Sequence, residues 1–331
     1  MPVTLAQAKL NTTDDVDVHV INEFQKQGWL VANLPFHDVV NGAGAGGTLT
    51  YGYQRQITQA TAGFRALNAE YTPQEVTKQR FTTDLKPLGG SFQIDRVLDA
   101  MAAAAETEFQ IVNKVAGANA AFNDAVINGD TAVDANGFDG LSKALTGSST
   151  ELGAAGGTDW STIAAGNDTS FAALDIVDEL VHLLNGPATA LLGNSKLLSK
   201  LRAVARRANM YTSSPVIINE NDPNGSILVE QFGNVVLVDM GTKAGTSTDV
   251  IPVTSKTVNS VAGNYTDLYA VRLGLDAFHG VSMAGQPLIK TWLPDFTTAG
   301  AVKTGEVELG PVSVALKATK GAAVRRNIKL S

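Results

Sequence analysis

The sequence predicts an α+β fold from three segments that follow one another along the chain. Between Thr48 and Pro87, the extended runs TLTYGYQRQIT and EVTKQRFTTDLK flank a polar centre that contains a proline, which predicts a long two-stranded hairpin. A proline-free, alanine-rich stretch then carries apolar residues at helical spacing and predicts one long helix. The remaining residues alternate helical and strand patterns, so we expect a mixed domain after the helix.

Composition excludes several classes of protein. The 331 residues are 44% hydrophobic, which suffices for two packed domains. A balance of 25 basic and 32 acidic residues gives a net charge of −7, which argues against strong electrostatic wrapping of DNA. With no cysteine, disulfides, thiolate zinc sites and thiol catalysis are excluded.

The surface and the N-terminus point to self-association away from membranes. Only 17% of residues are charged, whereas small residues are abundant, and such a surface suits repeated contact between copies. No basic segment followed by an apolar segment opens the sequence, and no apolar run approaches the length needed to span a bilayer. We therefore expect neither a secretory address nor a membrane partner.

Residues 1–45 are predicted to form an arm, because their short apolar groups and acidic clusters are too few to close a core. The following hairpin, residues 46–90, has glycines near both ends. Two strands alone are marginal in water, so the hairpin needs a surface to rest on, which a neighbouring subunit could supply. Clustered glycines suit hinging. The predicted hinge residues are Gly42, Gly44, Gly46, Gly47, Gly89 and Gly90.

A nucleotide-binding enzyme is a distant alternative. Gly42, Gly44 and Gly47 have the G-x-G-x-x-G spacing of a dinucleotide-binding loop. In such a loop the third glycine opens a helix that binds the pyrophosphate, but here the residues after Gly47 alternate as a strand does. The acidic residue expected about 20 positions later has only Glu70 as a candidate, within a polar loop.

One long helix is predicted over Ser91 to Asn128, with a break near Met101 as the alternative and with Asn128 and Gly129 as its stop. A turn-rich connection and a loop of small residues follow. FAALDIVDELVHLLN is then predicted to be an amphipathic helix, ATALLGN a strand, and SKLLSKLRAVARRAN a helix with Ser195 as its N-cap. The later predicted strands are SILVEQF, NVVLVDM, DLYAVRLGLDAF, EVELGPVSVALKAT and AAVRRNIKL.

In this order of parts the chain resembles the tailed-phage major capsid proteins of the Hong Kong 97-type fold. The most specific match is AFNDAVINGDTAVDANGFDGL, in which a helix ends in a turn and a G-F-D-G-L segment follows. The resemblance implies an N-terminal arm at 1–45, an extended E-loop hairpin at 46–90, a spine helix and peripheral domain at 91–150, and at 151–331 a mostly axial domain that returns to the peripheral one. The residues that carry the match are Asn128, Gly129, Asp130, Gly137, Gly140 and Leu141.

That family implies a structural protein of the bacteriophage virion and no enzyme. Its members assemble as hexamers and pentamers into an icosahedral head around double-stranded DNA, which they enclose without reading its sequence. Scaffold, portal and decoration proteins are implied partners, with assembly in the host cytoplasm. An encapsulin-type nanocompartment shell, which resembles the same fold, is the nearest alternative. The charges that we expect to form intersubunit pairs are Arg55, Arg65, Glu70, Glu75 and Arg80.

No catalytic, cofactor or metal site is predicted. Asp178 and His182 stand four residues apart on a helix, but without a third ligand we interpret them as a surface pair. DTAVDANGFDG lacks the ligand order of an EF-hand, so a capped turn is favoured. One helix is strongly basic and could face packaged DNA, pair with a neighbour's acids or simply be solvated. Its basic residues are Lys196, Lys200, Arg202, Arg206 and Arg207.

Overall fold

The computed structural model of the protein describes residues 29–40, 48–97, 106–163, 167–208, 211–217 and 226–331. Within them, the helices are α1 (Trp29–Asn33), α2 (Glu106–Asn128), α3 (Leu141–Leu145), α4 (Asn167–His182) and α5 (Ser195–Arg207). The strands of the first half are β1 (Phe36–Val40), β2 (Thr50–Gln56), β3 (Lys78–Asp84), β4 (Lys86–Asp95), β5 (Glu151–Leu152), β6 (Thr158–Asp159) and β7 (Ala190–Gly193). Those of the second half are β8 (Tyr211–Ile217), β9 (Ser226–Phe232), β10 (Val235–Asp239), β11 (Thr254–Val258), β12 (Val261–Val271), β13 (Phe278–Met283), β14 (Ile289–Trp292), β15 (Val302–Leu316) and β16 (Ala322–Lys329).

Strand β15 organises a five-stranded sheet with the order β1-β13-β15-β14, in which β4 also pairs with β15. Its N-terminal half lies between β4 and β14, and its C-terminal end pairs with β13. Strand β1 adds to β13 in parallel. Strands from the early and the late part of the described chain therefore meet in one sheet.

The second sheet has nine strands: seven in the order β5-β16-β12-β7-β10-β9-β8, with β11 paired to β12 and β6 paired to β16. It separates two apolar cores. Successive side chains of a strand point to opposite faces. Ala190 and Leu192 of β7 accordingly join the core shared with α2 and β15, whereas Leu191 joins the core beneath α4 and α5. The sheet is thus covered on both faces.

The predicted hairpin is confirmed, since β2 and β3 pair antiparallel from Thr50–Asp84 to Gln56–Lys78. The predicted end of the long helix at Asn128 is also confirmed, but its predicted start is wrong. Residues Ser91–Asp95 extend β4, where Phe92 and Ile94 are buried and alternate with exposed residues. Because apolar residues recur here at every second position, the segment favours a strand over a helix.

Part of the predicted arm belongs to the body of the protein. Leu30 of α1 and Leu34, just after it, are buried in the core that contains α2, and Phe36 of β1 lies 6.0 Å from Phe122, measured between ring centroids. The described part of the arm, residues 29–40, therefore packs on its own chain. Residues 1–28 lie outside the described residues.

The later elements largely follow their sequence patterns. Strand β7, helix α4 and the last strand are confirmed, but DLYAVRLGLDAF is divided by a turn after Val271. The predicted loop of small residues contains β5 and β6, which pair with β16, and it buries Trp160 against the helices. None of the described helices combines the length and apolar content that crossing a bilayer requires.

The cap of α5 is Asn194 and not Ser195, which is the first helical residue. The Asn194 side-chain oxygen accepts a hydrogen bond from the Leu197 amide at 2.9 Å, and its side-chain nitrogen donates to the Ile251 carbonyl at 3.0 Å. The Asn194 side chain suits the cap position because its nitrogen donates one hydrogen bond while its oxygen accepts another. The Ser195 side chain starts one residue later, inside the helix, and is not placed to make these two contacts.

We expect Asn194→Ala to lower the free energy of unfolding by about 2 to 3 kcal/mol, because it removes a helix cap and leaves buried polar groups unpaired. Ser195→Ala is the matched control and should change it by less than about 0.5 kcal/mol. Urea unfolding of the two variants measures the difference. A larger loss for Ser195→Ala would contradict the assignment of the cap.

Candidate assembly surface

The base of the β2–β3 hairpin is fastened to the end of β15. The Tyr53 hydroxyl donates a hydrogen bond to the Leu316 carbonyl at 3.0 Å. The Arg55 guanidinium donates from Nε to the Lys317 carbonyl at 2.7 Å and from Nη2 to the Leu316 carbonyl, and it lies 4.3 Å from the centroid of the Phe81 ring. Arg55 thus binds its own chain at the base of the hairpin, and its predicted intersubunit pairing stays a prediction.

A cluster of aromatic and histidine rings supports the same base. Tyr51 is buried against Leu85 and Val281, and its ring lies 5.9 Å from that of His37 and 6.0 Å from that of His279. Both ring nitrogens of His279 are buried. Burial, with the nearby charges of Lys317 and His37, lowers the pKa of His279 to about 4. The hairpin thus rests on a histidine that is neutral at neutral pH.

Beyond the paired strands, the tip of the hairpin presents apolar side chains to solvent. Phe64 is fully exposed, Leu67 is 93% exposed, and Tyr71 and Ile57 are more than half exposed. Hydrogen bonds across the tip, such as Thr77 N to Thr58 Oγ1 at 2.7 Å, hold its two sides together. Large apolar side chains clustered on one projection are typical of a contact surface.

The sequence interpretation missed these residues because it treated the tip as polar. The signal was present, since Phe64, Leu67 and Tyr71 interrupt a segment otherwise rich in polar and small residues. In a hairpin turn such side chains have no core of their own to enter. The presence of these apolar side chains, and not the charge of the segment, marks the hairpin tip as a candidate contact surface.

The other predicted contact charges lie on the exposed hairpin. Arg65 donates to the Ala69 carbonyl at 3.0 Å and lies 5.4 Å from the centroid of the Tyr71 ring, so its bonds are local to the tip. Glu70, Glu75 and Arg80 are exposed. Across the described part of the chain, none of these four charges forms an ion pair.

The predicted hinge glycines fall into two groups. Gly42, Gly44, Gly46 and Gly47 lie outside the described residues, and β2 begins three residues after them. Gly89 and Gly90 lie inside β4, paired with Glu308 and Val307 of β15. A Cβ at Gly89 would collide with the β15 backbone, so close packing of the strands requires glycine there, and a hinge at this second pair stays a prediction.

The family-like turn is a closed loop whose base is formed by two glycines. The Gly129 amide donates to the Ala125 carbonyl at 2.9 Å, and the Gly140 amide donates to the Gly129 carbonyl at 2.8 Å. A Cβ on either glycine would collide with backbone atoms. Asn128 donates to the Val250 carbonyl at 2.7 Å, and Leu141 is buried at the start of α3.

Lys143 holds the rest of this turn together. Its ammonium lies 2.6 Å from Asp130 Oδ1 and 2.9 Å from Asp139 Oδ1. The hydrogen bond from Lys143 lowers the pKa of Asp130. Gly137 donates its amide to the Asp134 carbonyl at 3.1 Å. These contacts are those of a capped turn, as the sequence indicated.

The turn and the hairpin base face each other across a cavity of about 440 Å³. Thr83 and Asp84 line the hairpin side, and Phe138 and Asp139 line the side of the turn. Lys86 follows the hairpin and donates to the Ala135 carbonyl of the turn at 3.2 Å. The two features that the sequence singled out are therefore neighbours.

The remaining candidate sites keep structural roles. His182 contacts the Asp178 carbonyl oxygen at 2.8 Å through Nδ1, and the described residues contain no group of three His, Cys, Asp or Glu side chains placed to bind a metal. On α5, Arg202 pairs with Glu230, whereas Lys200 donates to the carbonyls of Trp160 and Leu330. Lys196, Arg206 and Arg207 are exposed on the same helix.

Solved structures of shell proteins match nearly the whole chain. The holo-SrpI encapsulin complex from Synechococcus elongatus PCC 7942 matches with a TM-score of 0.65 at 13% identity, over 100% of this chain and 98% of that one. The capsid of a native GTA particle matches with a TM-score of 0.61 at 16% identity, over 98% of this chain and 97% of that one. The capsid of Myoviridae phage XM1 matches with a TM-score of 0.58 at 11% identity, over 98% of this chain and 99% of that one.

Sequence comparison adds no relative: no family model and no curated protein matches the chain. The structural matches show that the chain has the mixed α and β fold of phage capsid and encapsulin shell proteins. At these identities the likeness shows the fold alone. The resemblance to tailed-phage capsid proteins that the sequence indicated is thereby confirmed at the level of fold.

We expect Arg55→Ala to release the hairpin from β15, because it removes the two hydrogen bonds to carbonyls and the contact with Phe81. Amide hydrogen exchange of β2 and β3 should then accelerate by about tenfold or more, the equivalent of roughly 1.4 kcal/mol. Arg80→Ala, an exposed arginine of the same hairpin, is the matched control. Equal exchange in both variants would contradict the anchoring role of Arg55.

Stability should depend on pH through His279. The unfolded histidine takes up a proton near pH 6.5, whereas the folded one does so only near pH 4, so the unfolded state binds more protons between these values. The free energy of unfolding should therefore fall as the pH is lowered from 6.5 to about 4, by on the order of 3 kcal/mol from this group.

Urea unfolding at pH values between 4 and 7, a range that spans the folded pKa of about 4 and the unfolded value, measures this dependence. His279→Leu should flatten the dependence in this window, and His182→Leu, the same change at an exposed position, serves as the control. An unchanged slope in His279→Leu would show that other groups carry the acid sensitivity.

Proposed function

We propose that this chain is a structural shell protein that assembles with copies of itself and catalyses no reaction. The observation that carries the proposal is the hairpin, which is anchored at its base by Arg55 and exposes Phe64, Leu67 and Tyr71 at its tip. An isolated monomer gains nothing from apolar side chains held away from its core. A second copy that covers them removes this surface from water.

The parts of the chain then correspond to those of the Hong Kong 97-type fold. Residues 46–90 act as the E-loop, which lies across a neighbouring subunit, and Gly42, Gly44, Gly46 and Gly47 supply its hinge. Helix α2 is the spine helix of a peripheral domain at 91–150, and residues 151–331 are mostly axial. Within the N-terminal arm at 1–45, α1 and β1 pack on the body of the protein and do not extend away from it.

The assembled form is a closed icosahedral head of hexamers and pentamers around double-stranded DNA. Head-to-tail contacts between copies close into such rings. The net charge of −7 suits DNA that is contained and not tightly bound, without readout of its sequence. The location would be the virion, after assembly in the host cytoplasm with scaffold, portal and decoration proteins as partners.

An encapsulin-type shell around a protein cargo is the second candidate. It is favoured by the match to the holo-SrpI encapsulin complex, whose TM-score of 0.65 exceeds the 0.61 and 0.58 of the two capsids described above. The two candidates share the shell and differ in what it encloses.

Electron microscopy of the purified protein tests the shell, and analysis of its contents separates the candidates. Closed particles that contain nuclease-protected DNA support the capsid, and particles that contain a copurified protein support the encapsulin. A chain that stays monomeric or dimeric at high concentration, with or without crowding agents, would contradict both. In that case a thermal shift with NAD or ATP would test the nucleotide-binding alternative at Gly42, Gly44 and Gly47.

The hairpin tip provides the sharpest prediction. We expect the triple variant Phe64→Ser, Leu67→Ser, Tyr71→Ser to fold as the parent does but to raise the critical concentration for assembly by about tenfold or more, because each change removes apolar surface that a neighbour would bury. Light scattering and sedimentation measure this concentration.

Arg65→Glu should also raise the critical concentration for assembly, because it reverses a charge at the rim of the tip.

Val133→Ser is the matched control for the triple variant, since Val133 is also strongly exposed but lies in the turn after α2. If the triple variant assembled like the Val133→Ser control, the tip would not be a contact between subunits.

A further inference from the structure

Helix α4 presents an acidic face to solvent. Asp168, Asp175, Asp178 and Glu179 are exposed, and across the described residues none of them forms an ion pair. The opposite side of the helix is buried in the core beneath the nine-stranded sheet. Phe171 lies among the four carboxylates and is 53% exposed. The face is thus an apolar side chain surrounded by negative charge, the arrangement of a contact centre with a polar rim.

Helix α5 presents the opposite charge. Its sequence SKLLSKLRAVARR contains five basic residues and no acidic one. Arg202 and Lys200 are used within the chain, by Glu230 and by two backbone carbonyls. Lys196 and Arg206 are left on the exposed side, and Arg207, which is also exposed, donates from Nη1 to the Ser170 hydroxyl of α4 at 3.5 Å. Across the described residues none of the three forms an ion pair.

The two helices lie on the same face of the nine-stranded sheet. Helix α4 packs on β16, near one end of the strand order, whereas α5 packs on β10 and on β8, the strand at the other end. The helices contact each other. Their exposed sides, one acidic and one basic, therefore belong to a single helical layer.

We propose that the acidic face of α4 in one copy binds the basic face of α5 in the next copy, head to tail. This inference rests on the proposed function and names the contact that would join copies side by side within a ring. Two acidic faces repel each other, as do two basic ones, so a symmetric pairing of like faces is disfavoured. A head-to-tail contact between unlike faces avoids this repulsion and can repeat from copy to copy. The repeated contact forms a closed ring when the rotations between successive copies add up to a full turn.

The alternative partner for α5 is packaged DNA, and the charges disfavour it. Both helices cover the same face of the sheet, so a polyanion that approaches α5 also meets the four exposed carboxylates of α4. A second copy of the chain meets no such conflict, since it brings α4 carboxylates to the α5 cations. Phe171 can then lie against an arginine of the partner, since guanidinium groups stack on aromatic rings.

The test is charge reversal in the full-length chain. The acid-reversed variant carries Asp175→Lys, Asp178→Lys and Glu179→Lys, and the base-reversed variant carries Lys196→Glu, Arg206→Glu and Arg207→Glu. Each should raise the critical concentration for assembly by about tenfold or more, because like charges then face each other across the contact. The two sets combined in one chain restore opposite charges, and we expect assembly to recover to within about threefold of the parent.

The outcomes separate this inference from the proposed function. If the parent forms shells and either reversed variant assembles as the parent does, the α4 to α5 contact is overturned while the shell function stands. If both reversed variants fail and the combined variant fails while remaining folded by circular dichroism, the contact is also overturned. If base reversal leaves assembly intact but lowers the DNA content of the shells, α5 faces DNA instead. Failure of the parent itself to assemble would count against the shell function.

Discussion

The pairing of β15 with its neighbours is the constraint on which the rest of the structure depends. This strand runs for 15 residues and takes β4, β14 and β13 as partners along its length. Val312, Val314 and Leu316 bury their side chains in the core that also receives α1 and α2. Just past its end, the carbonyls of Leu316 and Lys317 hold the hairpin. One strand therefore joins the sheet, the main core and the projecting hairpin.

The hairpin shows how a marginal element is made to project from a stable body. Two strands without a third do not hold their own shape well in water. Here the base gains its stability from elsewhere: Arg55 binds carbonyls, and Tyr51 packs against His37 and His279. The tip has no such support, and its apolar side chains face solvent. A firmly held base and an uncovered tip are what a contact between copies requires.

Charge is distributed in a way that suits many weak contacts. The half-buried ion pair of Arg326 and Glu151 ties β16 to β5 and serves the fold. The exposed charges of α4 and α5 are segregated by sign onto separate helices, and a monomer has no need of that segregation. Single exposed ion pairs contribute only about 0 to 1 kcal/mol. A shell repeats each contact many times, so weak contacts suffice and remain reversible enough to correct errors during assembly.

The sequence by itself determined what local periodicity and turn chemistry can determine. Alternation across TYGYQRQ and KQRFTTD predicted the hairpin, Asn128 and Gly129 predicted the end of α2, and the turn up to Leu141 carried the resemblance in fold. Only the tertiary structure decided which partner each segment meets. Ser91–Asp95 is a strand because β15 lies beside it, and Arg55 turns inward because the Leu316 and Lys317 carbonyls at the end of β15 lie within reach of its guanidinium. Asn194 caps α5 in place of Ser195 because the Ile251 carbonyl lies within reach of its amide. Such choices depend on groups far apart in the chain, and a local pattern carries no information about them.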